Sequence, residues 1–149
     1  MALTLADKGK TGELIQLLHS EDPHIRMRAF DAVEKLSRLD RRILQPFAHE
    51  IFNLGDHYHQ REVLWHWCQI IPRLDLTDSE VDYAFWKMNS LRGSDSKIVW
   101  TFALQGMFDL VNQRPDFLES VNEALSEDLK RGSGAVKARC RKLIEQLKH

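Results

Sequence analysis

The chain has 149 residues, of which 43% are hydrophobic and 29% charged, with a formal net charge of −1. That composition suits one domain with its own core, and it argues against a disordered chain or one recruited by overall charge to nucleic acid or an anionic membrane. No apolar run approaches the roughly 20 residues that a membrane span needs. The opening MALTLADKGKTGEL lacks the features of a secretory signal. Cys68 and Cys140 sit at similar places in separate helical patterns and read as buried free thiols, so the expected setting is cytoplasmic.

Apolar residues recur three or four apart along the whole chain, which predicts helices and no strands. The first helix is expected over 11–19 and ends in a polar turn at 20–22. Asp22 can then accept from free backbone N–H groups at the start of the next helix, with Pro23 at its first position. Ile25, Ala29, Val33 and Leu36 form its apolar stripe. A segment at 40–54 contains Pro46, which is expected to kink it. After the turn at 55–56, Arg61, Leu64, Cys68 and Ile71 repeat the places of Arg26, Ala29, Val33 and Leu36. The spacing Thr77-Asp78-Ser79-Glu80 is a capping box that opens a helix over 77–92. Val99, Ala103, Met107 and Leu110 follow the turn at 93–95. Pro115 opens the segment 115–130, and Val136, Cys140, Ile144 and Leu147 follow the turn at 132–134. The stripes succeed one another at 35, 39 and 37 residues, the near-period of a helical repeat array. The reading is a single domain over 1–149 with repeats at about 11–38, 40–73, 77–113 and 115–148, each an A helix followed by a B helix.

The segment Asp22-Pro23-His24-Ile25-Arg26-Met27-Arg28-Ala29 resembles a HEAT repeat, and Pro46 resembles that family's proline within the A helix. The resemblance implies an all-α fold: a right-handed α-α superhelix, or solenoid, of about four antiparallel helix pairs. It also implies a habit of binding proteins and a ladder of Asp and Arg side chains between neighbouring repeats. Later repeats depart from the pattern at Gln60, Trp100 and Lys137, so the ladder is expected only between the first two.

HEAT B helices line the concave side of the superhelix. With 100° per residue and the buried face centred on Ala29, the outward residues include Met27, Asp31, Glu34 and Arg38, then Glu62, His66, Gln69 and Arg73, then Thr101 and Phe108. Phe30 and Trp65 flank that row and serve either as partner anchors or as packing between B helices. The expected partner-binding set is therefore Met27, Phe30, Glu34, Glu62, Trp65, His66, Gln69, Thr101 and Phe108. Trp67 and Trp86 read as core.

Residues 130–149 carry seven Lys/Arg against one Glu, which reads as a polar cap on the last repeat or as a basic end for an acidic protein or a phosphate backbone. The acidic A helices, with Asp75, Asp78, Glu80, Asp82, Asp116, Glu119, Glu123, Glu127 and Asp128, read as solvated. His59 and His66 lie about two turns apart, roughly 10.5 Å of rise, too far for one metal ion, and His57 points elsewhere. No phosphate loop, nucleophile elbow or HExxH helix is present, so no catalytic residue, metal or cofactor is assigned. Two HEAT-like enzyme groups are alternatives. One is the helical-repeat DNA glycosylases, for which Trp65 or Trp100 with Asp31 or Asp109 would be needed; the other is the bilin lyase-like proteins, which this chain resembles only in fold. The expected function is a non-enzymatic protein-interaction or scaffolding module. Nucleic-acid binding through the basic end is the second reading, and homo-oligomerisation through the terminal repeats a third.

Overall fold

The computed structural model describes residues 5–148, with side chains from residue 9 onward, and every regular element among them is helical. The chain divides into two compact units, Met1–Leu76 and Thr77–His149. No helix among the described residues is long and apolar enough to cross a membrane.

Unit one holds α1 (Leu5–Leu17), α2 (Pro23–Leu39), α3 (Ala48–Leu54) and α4 (Arg61–Ile70). Helix α2 begins as its sequence dictates: Asp22 has an extended backbone, its carboxylate accepts from the His24 N–H at 2.9 Å, and Pro23 takes the first helical position. It packs on α1 and on α4. Two neighbours bury a wider arc than one, so Arg26, Ala29, Phe30, Val33, Glu34 and Ser37 all go inside. That arc is centred roughly 70° away from Ala29. In consequence Ile25, the expected start of the stripe, is 43% exposed, whereas Phe30 is fully buried.

The second A segment is not one kinked helix. Pro46 lacks an N–H and its ring crowds the carbonyl four residues back. The chain resolves this with two 3₁₀ turns, Arg41–Ile43 and Gln45–Phe47, before α3 starts at Ala48. Trp67 then fastens α3 to α4. It is fully buried, and its indole N–H donates to the Phe52 carbonyl at 3.1 Å. Gly55 lies directly against this ring, and a Cβ there would overlap the indole.

Unit two holds α5 (Asp78–Leu91), α6 (Lys97–Leu110), α7 (Leu118–Arg131) and α8 (Gly134–Leu147). The capping box forms in full: Thr77 Oγ1 accepts from the Glu80 N–H at 3.2 Å, and the Glu80 carboxylate accepts from the Thr77 N–H at 3.0 Å. Ser96 and Ser133 cap α6 and α8 by accepting from the Val99 and Val136 N–H groups, without a reciprocal carboxylate. Pro115 opens a 3₁₀ turn, Pro115–Phe117, that leads into α7. Helix α6 packs on α5, α7 and α8, and α7 packs on α8. Cys68 in unit one and Cys140 in unit two are buried free thiols, as expected. Trp86 is not core, because it is 60% exposed. The buried stripe of α5 is Val81, Ala84 and Met88, and two residues from Ala84 is roughly 200° around the helix.

Asp128 also departs from expectation. Burial on its own would raise its carboxyl; hydrogen bonds from Arg92, Trp100 and Arg131 offset that and hold it below the usual carboxylate range. The side chain is fully buried and accepts from Arg92 Nε at 2.8 Å, Arg92 Nη2 at 2.9 Å, Trp100 Nε1 at 2.8 Å and Arg131 Nε at 2.8 Å. Arg92 caps the end of α5, Trp100 lies on α6, and Asp128 and Arg131 lie on α7, so one carboxylate joins three helices. Removing its charge leaves the Arg92 side chain, only 8% exposed, without its main counter-ion. Asp128→Asn is expected to lower unfolding free energy by about 3 kcal/mol in urea titration, and an unchanged midpoint would contradict this account.

Candidate functional site

In unit one the B helices α2 and α4 are tied along their shared edge by three polar links. Near the start of α2, Arg26 is mostly buried with its guanidinium 3.8 Å from the Tyr58 ring centre. It donates through Nε to Gln60 at 2.9 Å and through Nη1 to the Ser20 carbonyl at 2.7 Å, while Gln60 donates back to the Pro23 carbonyl at 2.9 Å. At this end of the edge the link therefore runs through Arg26 and Gln60, not through Asp22. Asp22 spends its carboxylate on the helix cap, and Arg61 is exposed.

One turn onward His66 is 3.4 Å from Asp31, and its other ring nitrogen meets the Glu62 carbonyl. A hydrogen bond from Lys35 holds the Asp31 carboxyl below its ordinary range, with a smaller contribution from His66. Further on, Arg73 Nη1 donates to Glu34 at 2.9 Å and to Ser37 at 2.8 Å, and Arg38 Nε lies 2.7 Å from the same Glu34 oxygen.

These links decide what happens to the nine expected partner-binding residues. Phe30, Glu34 and His66 are buried, so none of them offers a free side chain to a partner. Phe30 is packing, the alternative role that its position allowed. Glu34 and His66 face outward only by an Ala29-centred reckoning; in the structure Glu34 of α2 turns toward Arg73, just past the end of α4, and His66 of α4 turns toward Asp31 of α2. Met27, Glu62, Trp65 and Gln69 remain partly exposed in unit one. Trp65 lies with its ring 5.4 Å from that of His66. Thr101 and Phe108 remain partly exposed on α6 in unit two. There, Gln105 bridges Asp109 at 2.9 Å and Arg139 of α8 at 2.8 Å.

The chain matches no protein-family model, no curated protein and no solved structure. The site is thus argued from its own geometry.

Among the described residues every buried side-chain nitrogen and oxygen has a hydrogen-bond partner, and no three His, Cys, Asp or Glu are placed to hold a metal ion. The Cys140 thiol is pushed up to about 11, first by burial and then by the Asp128 charge, so it stays protonated near neutral pH. Arg38 and Arg73, expected to face outward, join Arg41 and Arg42, which the sequence did not single out, in lining an open cleft of about 440 Å³. The run Arg38-Leu39-Asp40-Arg41-Arg42 was its only sequence signal.

Burial separates the two aromatic residues experimentally. Phe30→Ala is expected to cost about 3–5 kcal/mol of stability, and Trp65→Ala less than about 1.5 kcal/mol, both by denaturant unfolding. Equal losses would return Trp65 to the core. Native alkylation of Cys140 at pH 8 is expected to proceed only as the protein unfolds, so that iodoacetamide labelling followed by mass spectrometry tracks denaturant; prompt labelling without denaturant would contradict its burial.

Proposed function

We propose that this chain is a non-enzymatic protein-interaction module of HEAT type, working in a cytoplasmic setting. Met27, Glu62, Trp65 and Gln69 of unit one form its principal contact surface, and Thr101 and Phe108 form a smaller one on unit two. The observation that carries this reading is Trp65. It is a partly exposed indole whose neighbour His66 is held by Asp31 and by the Glu62 carbonyl, so the surface around it is ordered before any partner arrives. Pre-ordering lowers the entropy lost on association, and a rigid aromatic ring supplies contact area at little conformational cost. The HEAT resemblance draws support from the capped start of α2 and from the packing of B helix on B helix within each unit. The test is affinity capture with the tagged chain and its Trp65→Ala variant, compared by quantitative mass spectrometry. Proteins held through this surface are expected to drop by about thirtyfold in affinity, while the thermal midpoint stays within a few degrees. An identical set of captured proteins would overturn the assignment.

One observation favours a second reading, nucleic-acid binding through α8. Lys137, Arg141 and Lys142 have no carboxylate partner among the described residues. Such binding weakens steeply with salt, and an Arg141→Gln/Lys142→Gln variant is expected to flatten that slope by about two contacts. A labelled duplex that shows no binding at low salt would remove this reading.

A further inference from the structure

The cleft in unit one gathers four guanidinium groups, three from the run Arg38-Leu39-Asp40-Arg41-Arg42 and the fourth, Arg73, from some thirty residues on. Its lining is Ser37, Arg38, Asp40, Arg41, Arg42 and Arg73, with Leu39 at the opening. Arg38 and Arg73 converge because both reach the same oxygen of buried Glu34. Arg42 pairs with Asp40 through Nε and Nη2, at 3.0 and 3.1 Å. Arg41 meets Asp75 only loosely, at 3.8 Å. Gln45 fixes Asp75 by a double hydrogen bond to its backbone, donating to its carbonyl at 2.8 Å and accepting from its N–H at 2.9 Å. The cleft wall is therefore braced at both ends.

The donors are far from spent. Arg73 donates only through Nη1, and Arg38 meets Glu34 only through Nε. The side chains of Arg38 and Arg41 are more than half exposed and that of Arg73 is partly exposed, so N–H groups beyond these bonds can meet a ligand. Four positive charges face three carboxylates, Glu34, Asp40 and Asp75, leaving one cation in excess. Planar forks with free N–H groups match an oxyanion carrying several acceptor oxygens, and phosphate offers three against the two of a carboxylate.

From this cleft the geometry points to a binding site for a single phosphate monoester carried on a protein segment. Three features select that source. The volume lies in the range of small-ligand sites, so it admits a phosphorylated side chain and not just the anion. Leu39 is 80% exposed at the opening and offers an apolar contact to a residue flanking the phosphate. A nucleic-acid backbone or an anionic bilayer needs a row of uncompensated cations, and this cleft, with Asp40 in its lining and Asp75 beside Arg41, has an excess of one. This surface is separate from the Trp65 surface, and the inference stands whether or not that one binds a partner.

The test uses a fluorescein-labelled peptide with a central phosphoserine flanked by leucines, its unphosphorylated twin, a single-stranded oligonucleotide and phosphatidylserine vesicles, read by anisotropy and co-sedimentation near physiological salt. The phosphopeptide is expected to bind at least about tenfold tighter than its twin, and inorganic phosphate to compete. Arg41→Gln/Arg42→Gln is expected to remove about tenfold of that preference with an unchanged thermal melt, since both side chains are exposed; Arg38→Gln is the second variant should the double one fail to fold. Equal binding of the two peptides would overturn the inference. Preferential binding of the oligonucleotide or the vesicles, lost in the same variants, would overturn it as well.

Discussion

A carboxylate withdrawn from water must be met by donors or it will not stay charged, and in unit two Asp128 is met by four. Much else in that unit follows from this. Arg92 is drawn in as the residue that caps the end of α5, with its remaining N–H groups spent on Glu127, Asn89 and the Ala124 carbonyl. Trp100 is oriented by its indole N–H, and Arg131 is placed 5.2 Å from the Trp100 ring centre. With Arg92 turned toward α7, Phe85 stacks on Phe117 at 4.1 Å and Arg114 bridges Asp82 and Asp116 along the same side of α5. Trp86 is left on the outer side.

Unit one uses the same physics with weaker groups. Its edge carries Arg26 with Gln60, His66 with Asp31, and Arg73 with Glu34, each a link between α2 and the region of α4. Such links add modest net stability, because desolvation offsets much of the attraction, but breaking one leaves a buried group unmatched. Their main effect is to fix which side chains are committed. Glu34 and His66 are committed; Trp65, Met27, Glu62 and Gln69 are not, and neither is most of the donor capacity of Arg38, Arg41 and Arg73. Both the proposed contact surface and the proposed phosphate cleft are built from what the internal links leave over.

Local signals in the sequence were read well because they act locally. Asp22 with Pro23, and Thr77 with Glu80, satisfy backbone groups within one turn, so the residues that determine them are adjacent. The helical periodicity, the buried thiols and the buried Trp67 followed from apolar spacing alone. What failed was angle and partnership. A stripe centred on Ala29 put Ile25 inside and left Glu34 outside, because it assumed one neighbour where α2 has two. Trp86 was assigned to the apolar stripe of its helix, although its place on α5 is opposite Ala84 and Met88. Asp128 was read as one more solvated acid in a run of them, since nothing local separates it from Glu127; besides the nearby Arg131, its donors Trp100 and Arg92 come from 28 and 36 residues away. Pro46 shows the reverse case, a local signal whose outcome, two 3₁₀ turns instead of a kink, was decided by how that segment continues into α3.

The account rests on a buried carboxylate that stays ionised through its donors. With its folded pKa depressed, Asp128 contributes stability that is present above the ordinary carboxylate range, near 4, and is lost as pH falls through the lower folded value. The most direct measurement is the carboxyl ¹³C shift of Asp128 across an acid titration, followed beside the unfolding free energy. The account predicts that the resonance stays at its ionised position well below the usual range, and that stability falls as it finally protonates. A carboxyl that titrates at or above the usual value while the fold persists unchanged would contradict it.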